Sequence, residues 1–429
     1  MKICIYINNR GIKGVDCSDL SLGNPGIGGT EYCILLLAQL YKQFYPENQV
    51  VLMAAAEGKL PKVDEVVICD DFLGIPELAK AHGADLLLLS AVHEGQPLSE
   101  DFFAKVNAVK IKTITWGHNF YLSDFCSRLA KCEYLRANVF VGKQQYDRYL
   151  DHKVIRKSTY IYNMYPQPTH PGRTEIKEPI VTYIGSLVPV KGFHILASAW
   201  KQVLASVPNA QLMVIGSGKL YGRDSKLGQF GIAEESYERS FMPGLLDEQG
   251  SLLPSVHFLG VMGAEKRDVI AETAVGVANP SGRTETFGIS ALDFESLGVP
   301  VVTIAKGGFL DTVVDHETGI MYQDPAQIAD CIVELLKDPE KNEQYGENGR
   351  KKAEKFSPQR SIRQWDELFR RVAEDQPLDL HAPDDFMHNN LKSIRWKNRQ
   401  LKNKLRMEYP VSVIGLETLA RKLLRMLGK

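Results

Sequence analysis

Residues 275–304 set out a short apolar run (Val275-Gly276-Val277-Ala278), a polar loop, an amphipathic stretch ending at Gly298, and a second apolar run (Val301-Val302-Thr303-Ile304). That order constrains this chain more than any other feature. Two short apolar runs joined by a helix pair in parallel, because the crossover returns the chain to the same end of the sheet. Gly298 supplies a left-handed helix stop, and Pro300 prevents continuation. The loop Pro280–Phe287 then falls at the carboxyl edge of a parallel sheet, where α/β proteins hold ligands. Glu285 lies on that loop and Asp293 on the helix. The helix start at Gly288 leaves backbone N–H groups that attract anions.

The same alternation runs along most of the chain. Strands are expected at Lys2–Ile7, Val50–Ala54, Val66–Cys69, Asp85–Leu89, Ile111–Thr115, Val139–Val141 and Thr159–Tyr162. They continue at Ile180–Ile184, Leu212–Ile215, Val256–Val261 and Gly319–Tyr322. Helical patterns separate several of them, which argues for an α/β chain with mostly parallel sheets. At 429 residues the chain is too long for one core. Tyr165–Gly172, rich in Pro and without hydrophobic periodicity, reads as an interdomain linker. The expected division is 1–168, 172–356, a helix over 357–375, and a tail over 380–429. Ser357 caps that helix, with Pro358 in its first turn.

Net charge is −1, which names no partner, but it is unevenly spread. Residues 391–429 hold eleven Lys and Arg against Glu408 and Glu417, a local +9 that leaves −10 elsewhere. Leu416, Leu419, Ala420, Leu423, Leu424 and Leu427 fall at helical spacing, beside Arg421, Lys422, Arg425 and Lys429. Such a helix lies in an anionic membrane surface or packs on protein, either the chain's own core or a second copy. Thin aromatic interleaving argues against nucleic acid. The seven cysteines show no zinc or C-x-x-C spacing, which fits buried thiols in a reducing cytoplasm. Met1 leads directly into a strand rather than a signal peptide, and no apolar run approaches the roughly 20 residues that span a bilayer.

Glycine loops recur before helices. Gly23–Glu31 contains Gly28-Gly29 ahead of an expected cap at Thr30. A dinucleotide fold would place its glycines directly after the first strand, in G-x-G-x-x-G spacing, and neither condition holds. After the strand Ile180–Ile184 comes Gly185-Ser186, with Lys191-Gly192 opening a helix. Lys306–Thr312 is another glycine–helix junction. His118 follows the strand that ends at Thr115. The polar segment Lys219–Leu252 is longer than a usual connection and reads as a surface insertion or a contact loop.

Glu285, seven residues, then an acid, with Phe287-Gly288 between and Gly298-Val299-Pro300 after, resembles the signature of retaining glycosyltransferases of family 4. Asp293 stands where the family has Glu; Glu295 faces elsewhere on the helix. Gly185-Ser186…Lys191-Gly192 resembles the family's diphosphate clamp, with Ser186 in the place of its Arg. The resemblance covers roughly residues 1–375 and implies a GT-B fold, two Rossmann-like domains facing across a cleft, with a basic helical extension. It implies a retaining, metal-independent hexosyltransferase that uses a nucleotide-diphospho-sugar, with a UDP-sugar as the first expectation. No cofactor is expected beyond that substrate.

By the same resemblance Glu285, His118 and Lys191 are catalytic. Gly28, Gly29, Ser186, Lys191, Val261, Glu285, Thr286, Phe287, Gly288 and Asp293 bind the donor. The expected acceptor is a glycan or lipid-linked glycan in cell-surface polysaccharide synthesis. Location would then be cytoplasmic or at the inner face of the plasma membrane. A sugar-nucleotide epimerase of the same fold, an oxidoreductase and a non-catalytic carbohydrate-binding scaffold remain alternatives.

Overall fold

A computed structural model describes residues 1–168, 172–173, 178–218, 226–384, 389–408 and 411–426. Thr169, His170 and Pro171 of the expected linker, the start of the segment at Lys219, the Arg425 side chain, Leu427 and Lys429 lie outside them. Two compact units form. The first joins Met1–Leu20, Thr30–Asn163 and Gln359–Lys429, and the second joins Ser21–Gly29 and Met164–Pro358. These limits differ from the sequence-based division, with the first boundary after Asn163 rather than 168. The glycine loop groups with the second unit, and the tail belongs to the first unit rather than standing apart.

The first unit holds strands β1 (Lys2–Ile7), β2 (Gln49–Ala54), β3 (Glu65–Ile68) and β4 (Leu86–Ser90). A two-residue hairpin, β5 (Val92–His93) with β6 (Gln96–Pro97), follows. Then come β7 (Thr113–Gly117), β8 (Leu135–Phe140) and β9 (Ser158–Tyr160). Seven strands make one sheet in the order β3-β2-β1-β4-β7-β8-β9, and every pairing is parallel. The central strands β1 and β4 are covered on both faces, which is why their sequences are nearly unbroken apolar runs. Chain direction across the sheet reverses between β1 and β4. Helix Pro358–Ala373 completes this core. Its Trp365 meets Trp116 edge-on at 4.7 Å and its Phe369 meets Tyr41 at 5.1 Å. Tyr41 Oη donates to Asp366 Oδ1 at 2.8 Å.

The second unit repeats the plan with β10 (Ile180–Ile184), β11 (Gln211–Ile215), β12 (Val256–Gly260), β13 (Val275–Ala278), β14 (Val301–Ile304) and β15 (Gly319–Tyr322). Their order is β12-β11-β10-β13-β14-β15, again all parallel, with the reversal between β10 and β13. The polar segment expected as a surface insertion or contact loop also contributes buried side chains to this unit's core. Helix Glu235–Phe241 buries Tyr237 and Phe241 beside Ala233, Met242 and Leu245. Glu238 explains why a polar sequence folds inward. Its buried carboxylate accepts from the backbone N–H groups of Phe230, Ile232 and Ala233 at 2.8–3.1 Å. Helix Gly29–Phe44 starts two residues earlier than a cap at Thr30 implies, so Thr30 lies inside it rather than capping it.

The tail packs on its own unit, one of the alternatives that its sequence leaves open. Helix Lys392–Leu405 turns Lys392, Arg395, Arg399 and Lys402 inward, at spacings of three and four, and all four are buried. Lys392 Nζ lies 3.2 Å from Asp147 Oδ2 and also pairs with Asp384. Arg395 pairs with Glu417 and lies 3.7 Å from Asp151 Oδ1. Arg399 donates to both oxygens of Glu408, at 3.0 and 3.2 Å, and through Nε to the Leu150 carbonyl at 2.8 Å. Lys402 Nζ donates to the Asp151 carbonyl at 2.7 Å. Helix Val413–Met426 buries Val413, Ile414 and Thr418.

A buried cation with ionic partners is costly to delete, because the partners stay behind uncompensated. Arg399→Leu should lower the stability of the tail's attachment by about 3–5 kcal/mol. Limited trypsin digestion should then release the tail well before the rest of the chain is cut, and unchanged protection would show that this helix's ionic contacts do not hold the tail in place.

Candidate active site

The loops that leave β10 and β13 come together where the second sheet reverses direction, the place at which an open parallel sheet exposes loops to a ligand. From β10 the chain runs through Gly185 and Ser186 to the short turn Pro189–Lys191. Gly192 follows at φ 69°, and a Cβ there would stand 2.5 Å from the Ser281 nitrogen. Only glycine allows that approach. Ser281 Oγ donates back to the Val190 carbonyl at 2.6 Å.

The two expected catalytic groups of this unit meet directly. Lys191 Nζ donates to Glu285 Oε2 at 2.9 Å. Asn279 Nδ2 donates to the same oxygen at 3.1 Å, and the Gly288 N–H donates to Oε1 at 3.0 Å. Burial opposes the charge on Glu285. The Lys191 ammonium, the Asn279 amide and the Gly288 N–H outweigh it, and the carboxyl is held below its usual value. One donor at the helix start, expected to await an anion, is therefore already satisfied by Glu285. The loop holds two non-glycine residues at positive φ, Asn279 at 29° and Thr284 at 57°. Strain of this kind collects at functional sites and persists only where neighbours impose it. The second glycine junction is one such neighbour. The Gly308 N–H donates to the Glu285 carbonyl at 3.0 Å, and a Cβ on Gly307 would lie 2.5 Å from that same oxygen. Tyr322 Oη donates to the Pro280 carbonyl at 2.8 Å.

Asp293 occupies the expected helix, but its carboxylate is engaged. Lys266 Nζ lies 2.8 Å from Oδ1 and 2.9 Å from Oδ2, and Tyr165 Oη donates to Oδ1 at 2.9 Å. Phe287 is buried edge-on against Phe356 at 5.4 Å, with Thr286 buried beside it. Ser186 is buried next to Lys191's turn, and its carbonyl accepts from Tyr183 Oη at 3.4 Å. Val261 follows β12 and is exposed. The glycine loop reaches it: a Cβ on Gly26 would stand 2.7 Å from Val261 Cγ1. Asn24 Oδ1 shapes that loop by accepting from the N–H groups of Gly26 and Ile27, each at 2.9 Å. Gly28 and Gly29 then lead into helix Gly29–Phe44.

His118 stands in the first unit, one residue past β7, with its ring 4.6 Å from that of Trp116. Burial pushes its pKa down to about 3, so the imidazole is neutral at physiological pH. The first sheet has its own group at the reversal between β1 and β4, which sequence reasoning passes over. His93 stacks on Phe72 at 3.7 Å, and its Nε2 lies 3.3 Å from Tyr6 Oη and 3.4 Å from Asn8 Nδ2. Sequence reasoning also misses Asn279, Lys266 and Tyr165. A polar Asn wedged between buried Ala278 and Pro280 is the available signal for the first. Among the described residues no group of three or more His, Cys, Asp or Glu side chains is placed to hold a metal ion.

The fold has counterparts among solved structures. Solved structures with the same fold include HepE from Anabaena in complex with UDP-glucose. Its TM-score is 0.63 at 16% identity, covering 86% of this chain and 99% of that one. Sucrose-phosphate synthase from Thermosynechococcus elongatus superposes with a TM-score of 0.63 at 17% identity, covering 88% and 100%. At such identities the likeness establishes the fold alone, and that fold is GT-B. Residues 167–352 match the family model described as Glycosyl transferases group 1, a span that contains Lys191, Glu285 and Asp293. The capsular polysaccharide biosynthesis glycosyltransferase CapM of Staphylococcus aureus is 31% identical over 193 residues, 44% of each chain. A D-inositol 3-phosphate glycosyltransferase of Corynebacterium urealyticum is 27% identical over 207 residues, 47% of this chain and 46% of the relative. The chain thus spans about half the length of the curated relatives it matches.

Glu295, on the same helix as Asp293, faces away from the loop as expected and is fully buried. Thr318 Oγ1 donates to its Oε1 at 2.7 Å, and Oε2 has no hydrogen-bond partner among the described residues. Burial pushes its pKa up to about 8. A raised carboxyl favours the folded state most below the unfolded value near 4.5 and loses that advantage as pH rises through about 8. Glu295→Gln should therefore leave stability at pH 5 nearly unchanged and raise it at pH 9, by on the order of a few kcal/mol. Denaturant midpoints that shift equally at both pH values would show that Glu295 is charged throughout.

Proposed function

We propose that this chain is a retaining glycosyltransferase. It would move a hexosyl-type sugar from a nucleotide-diphosphate donor, a UDP-sugar first, to a glycan or lipid-linked glycan. The observation that carries the reading is the Lys191–Glu285 pair at the reversal point of the second sheet, inside the span that matches glycosyl transferases group 1. HepE, which shares the fold, is solved in complex with UDP-glucose, and this favours a uridine donor. CapM's name favours a cell-surface glycan product.

Departure of a nucleoside diphosphate concentrates negative charge on one phosphate oxygen. Lys191 is placed to take up that charge as a compact ammonium on a flexible stem. Its release from Glu285 frees that carboxylate to accept hydrogen bonds from donor-sugar hydroxyls, while Asn279 and the Gly288 N–H keep it ionised and oriented. Arg283, exposed on the same loop, is the candidate for the second cation that Ser186 cannot supply. Asp293 would hold ribose hydroxyls by sharing oxygens already bonded to Lys266 and Tyr165. Ser186, Val261, Thr286 and Phe287 would line the donor's bed, Gly28 and Gly29 would approach its phosphates, and His118 would meet the sugar as a neutral imidazole. Charge neutralisation by side chains and backbone leaves no task for a metal ion. The reading places the enzyme in the cytoplasm, at the inner face of the plasma membrane when its acceptor is lipid-borne.

UDP and UDP-sugars should raise the thermal midpoint of the full chain, because a ligand bound only by the native state stabilises it. A panel of nucleoside diphosphates without any shift would sink the proposal. With the donor identified, Lys191→Ala should lower kcat by roughly 10²-fold with little change in KM, as expected for a group that acts on developing charge. Turnover should survive EDTA; loss restored by Mn²⁺ would reject metal independence.

A further inference from the structure

The helix Lys392–Leu405 is amphipathic the wrong way round for a soluble protein. Its buried face is the four cations described above, and the opposite face exposes Ile394, Leu401 and Leu405. Helix Val413–Met426 continues the theme. It buries Val413 and Ile414 yet exposes Leu416 (56%), Leu419 (55%), Leu423 and Met426, at spacings of three and four. Met407 and Val411, between the helices, are exposed too. Isolated apolar residues on a surface need no explanation, but a stripe repeated over two consecutive helices does. Packing of the tail on its own unit does not account for the stripe, because that packing uses the other faces.

Charge decides what covers it. Lys397, Lys404, Arg406, Arg421 and Lys422 are exposed on the same two helices and the connection between them. The two acids of the tail are spent internally: Glu408 binds Arg399 and Arg156, and Glu417 binds Arg395 and Arg148. Of the five exposed cations, Lys422 alone has a carboxylate partner among the described residues, Asp124. The exposed side is thus apolar and cationic. A second copy would bring like charge against like. An anionic bilayer answers both properties, with acyl chains for the leucines and phosphate headgroups for the lysines and arginines.

We infer that the C-terminal helices Lys392–Leu405 and Val413–Met426 are a preformed foot for an anionic lipid surface, inserted through Ile394, Leu401, Leu405, Leu416, Leu419, Leu423 and Met426. The inference deepens the membrane part of the functional proposal and rests on that part alone. It also changes the expected mode of binding. Four of the tail's cations are internal anchors, so attachment depends on apolar insertion more than on the tail's formal charge. Apolar burial is not screened by salt, whereas exposed charges are, over a Debye length of about 10 Å at 0.1 M.

The test is flotation of the full chain with phosphatidylcholine vesicles, with and without phosphatidylglycerol, at low and high salt. The full chain should float with the anionic vesicles and more weakly with the neutral ones. High salt should reduce binding severalfold without abolishing it. The triple variant Leu416→Gln, Leu419→Gln, Leu423→Gln should bind at least about tenfold more weakly, since polar side chains on the apolar face remove the insertion term. The pair Ile394→Gln, Leu401→Gln should weaken binding independently. Both variants change exposed residues and should keep the wild-type thermal midpoint and its shift with UDP. Failure of the wild type to float, or a triple variant that floats equally well, overturns the inference. So does a dimer in light scattering that the triple variant dissociates, because the face would then belong to a second copy. Loss of the UDP shift in the wild type would count against glycosyl transfer and leave the foot standing.

Discussion

Reversal of strand order within a parallel sheet is the constraint on which the geometry of the candidate site rests. On one side of β10 the crossovers run toward β12, and on the other toward β15. The loops after β10 and β13 therefore part company with their helices and face each other across the sheet edge. Lys191 and Glu285 lie on those two loops, ninety-four positions apart, yet form one ion pair. Their meeting is a property of topology before it is a property of either loop. The glycines then make it possible at atomic scale, since Gly192 lets the Ser281 backbone approach and Gly307 lets the Glu285 carbonyl approach.

A buried carboxylate in such a place needs several donors to stay charged. Glu285 has an ammonium, an amide and a backbone N–H. Glu295, ten positions along the chain, has one hydroxyl and is pushed toward neutrality. The contrast shows how two acids of the same type acquire opposite states within a short stretch. It also explains why only the first favours its charged form. Asp293 is a third case, paired with Lys266 and tied by Tyr165, so that its oxygens already help to fix the helix.

Much of the fold is legible in the sequence because its signals are local and redundant. Buried parallel strands announce themselves as short apolar runs, as at Lys2–Ile7 and Val301–Ile304, and glycine or proline marks where they stop. Lys191, Glu285 and Asp293 stand out because they sit beside such punctuation. Their partners escape, because Lys266 and Tyr165 carry no local mark of a contact made across the fold. The segment ending at Leu252 misleads for a related reason. Its polar composition argues for a surface loop, but Glu238 satisfies the backbone N–H groups that would otherwise forbid burial. The tail misleads most plainly. Counting cations cannot distinguish a solvated lysine from Lys392 or Lys402, which reach acids and carbonyls far away in the chain.

The helix that carries Trp365 lies far along the chain yet finishes a core begun by Lys2–Ile7. Ribosomal synthesis delivers residues in order, and domains ordinarily fold as they emerge. Here Trp116 lacks its edge-on partner Trp365 until Met164–Pro358 has been made. The part of the molecule that is born first is thus the part that matures last.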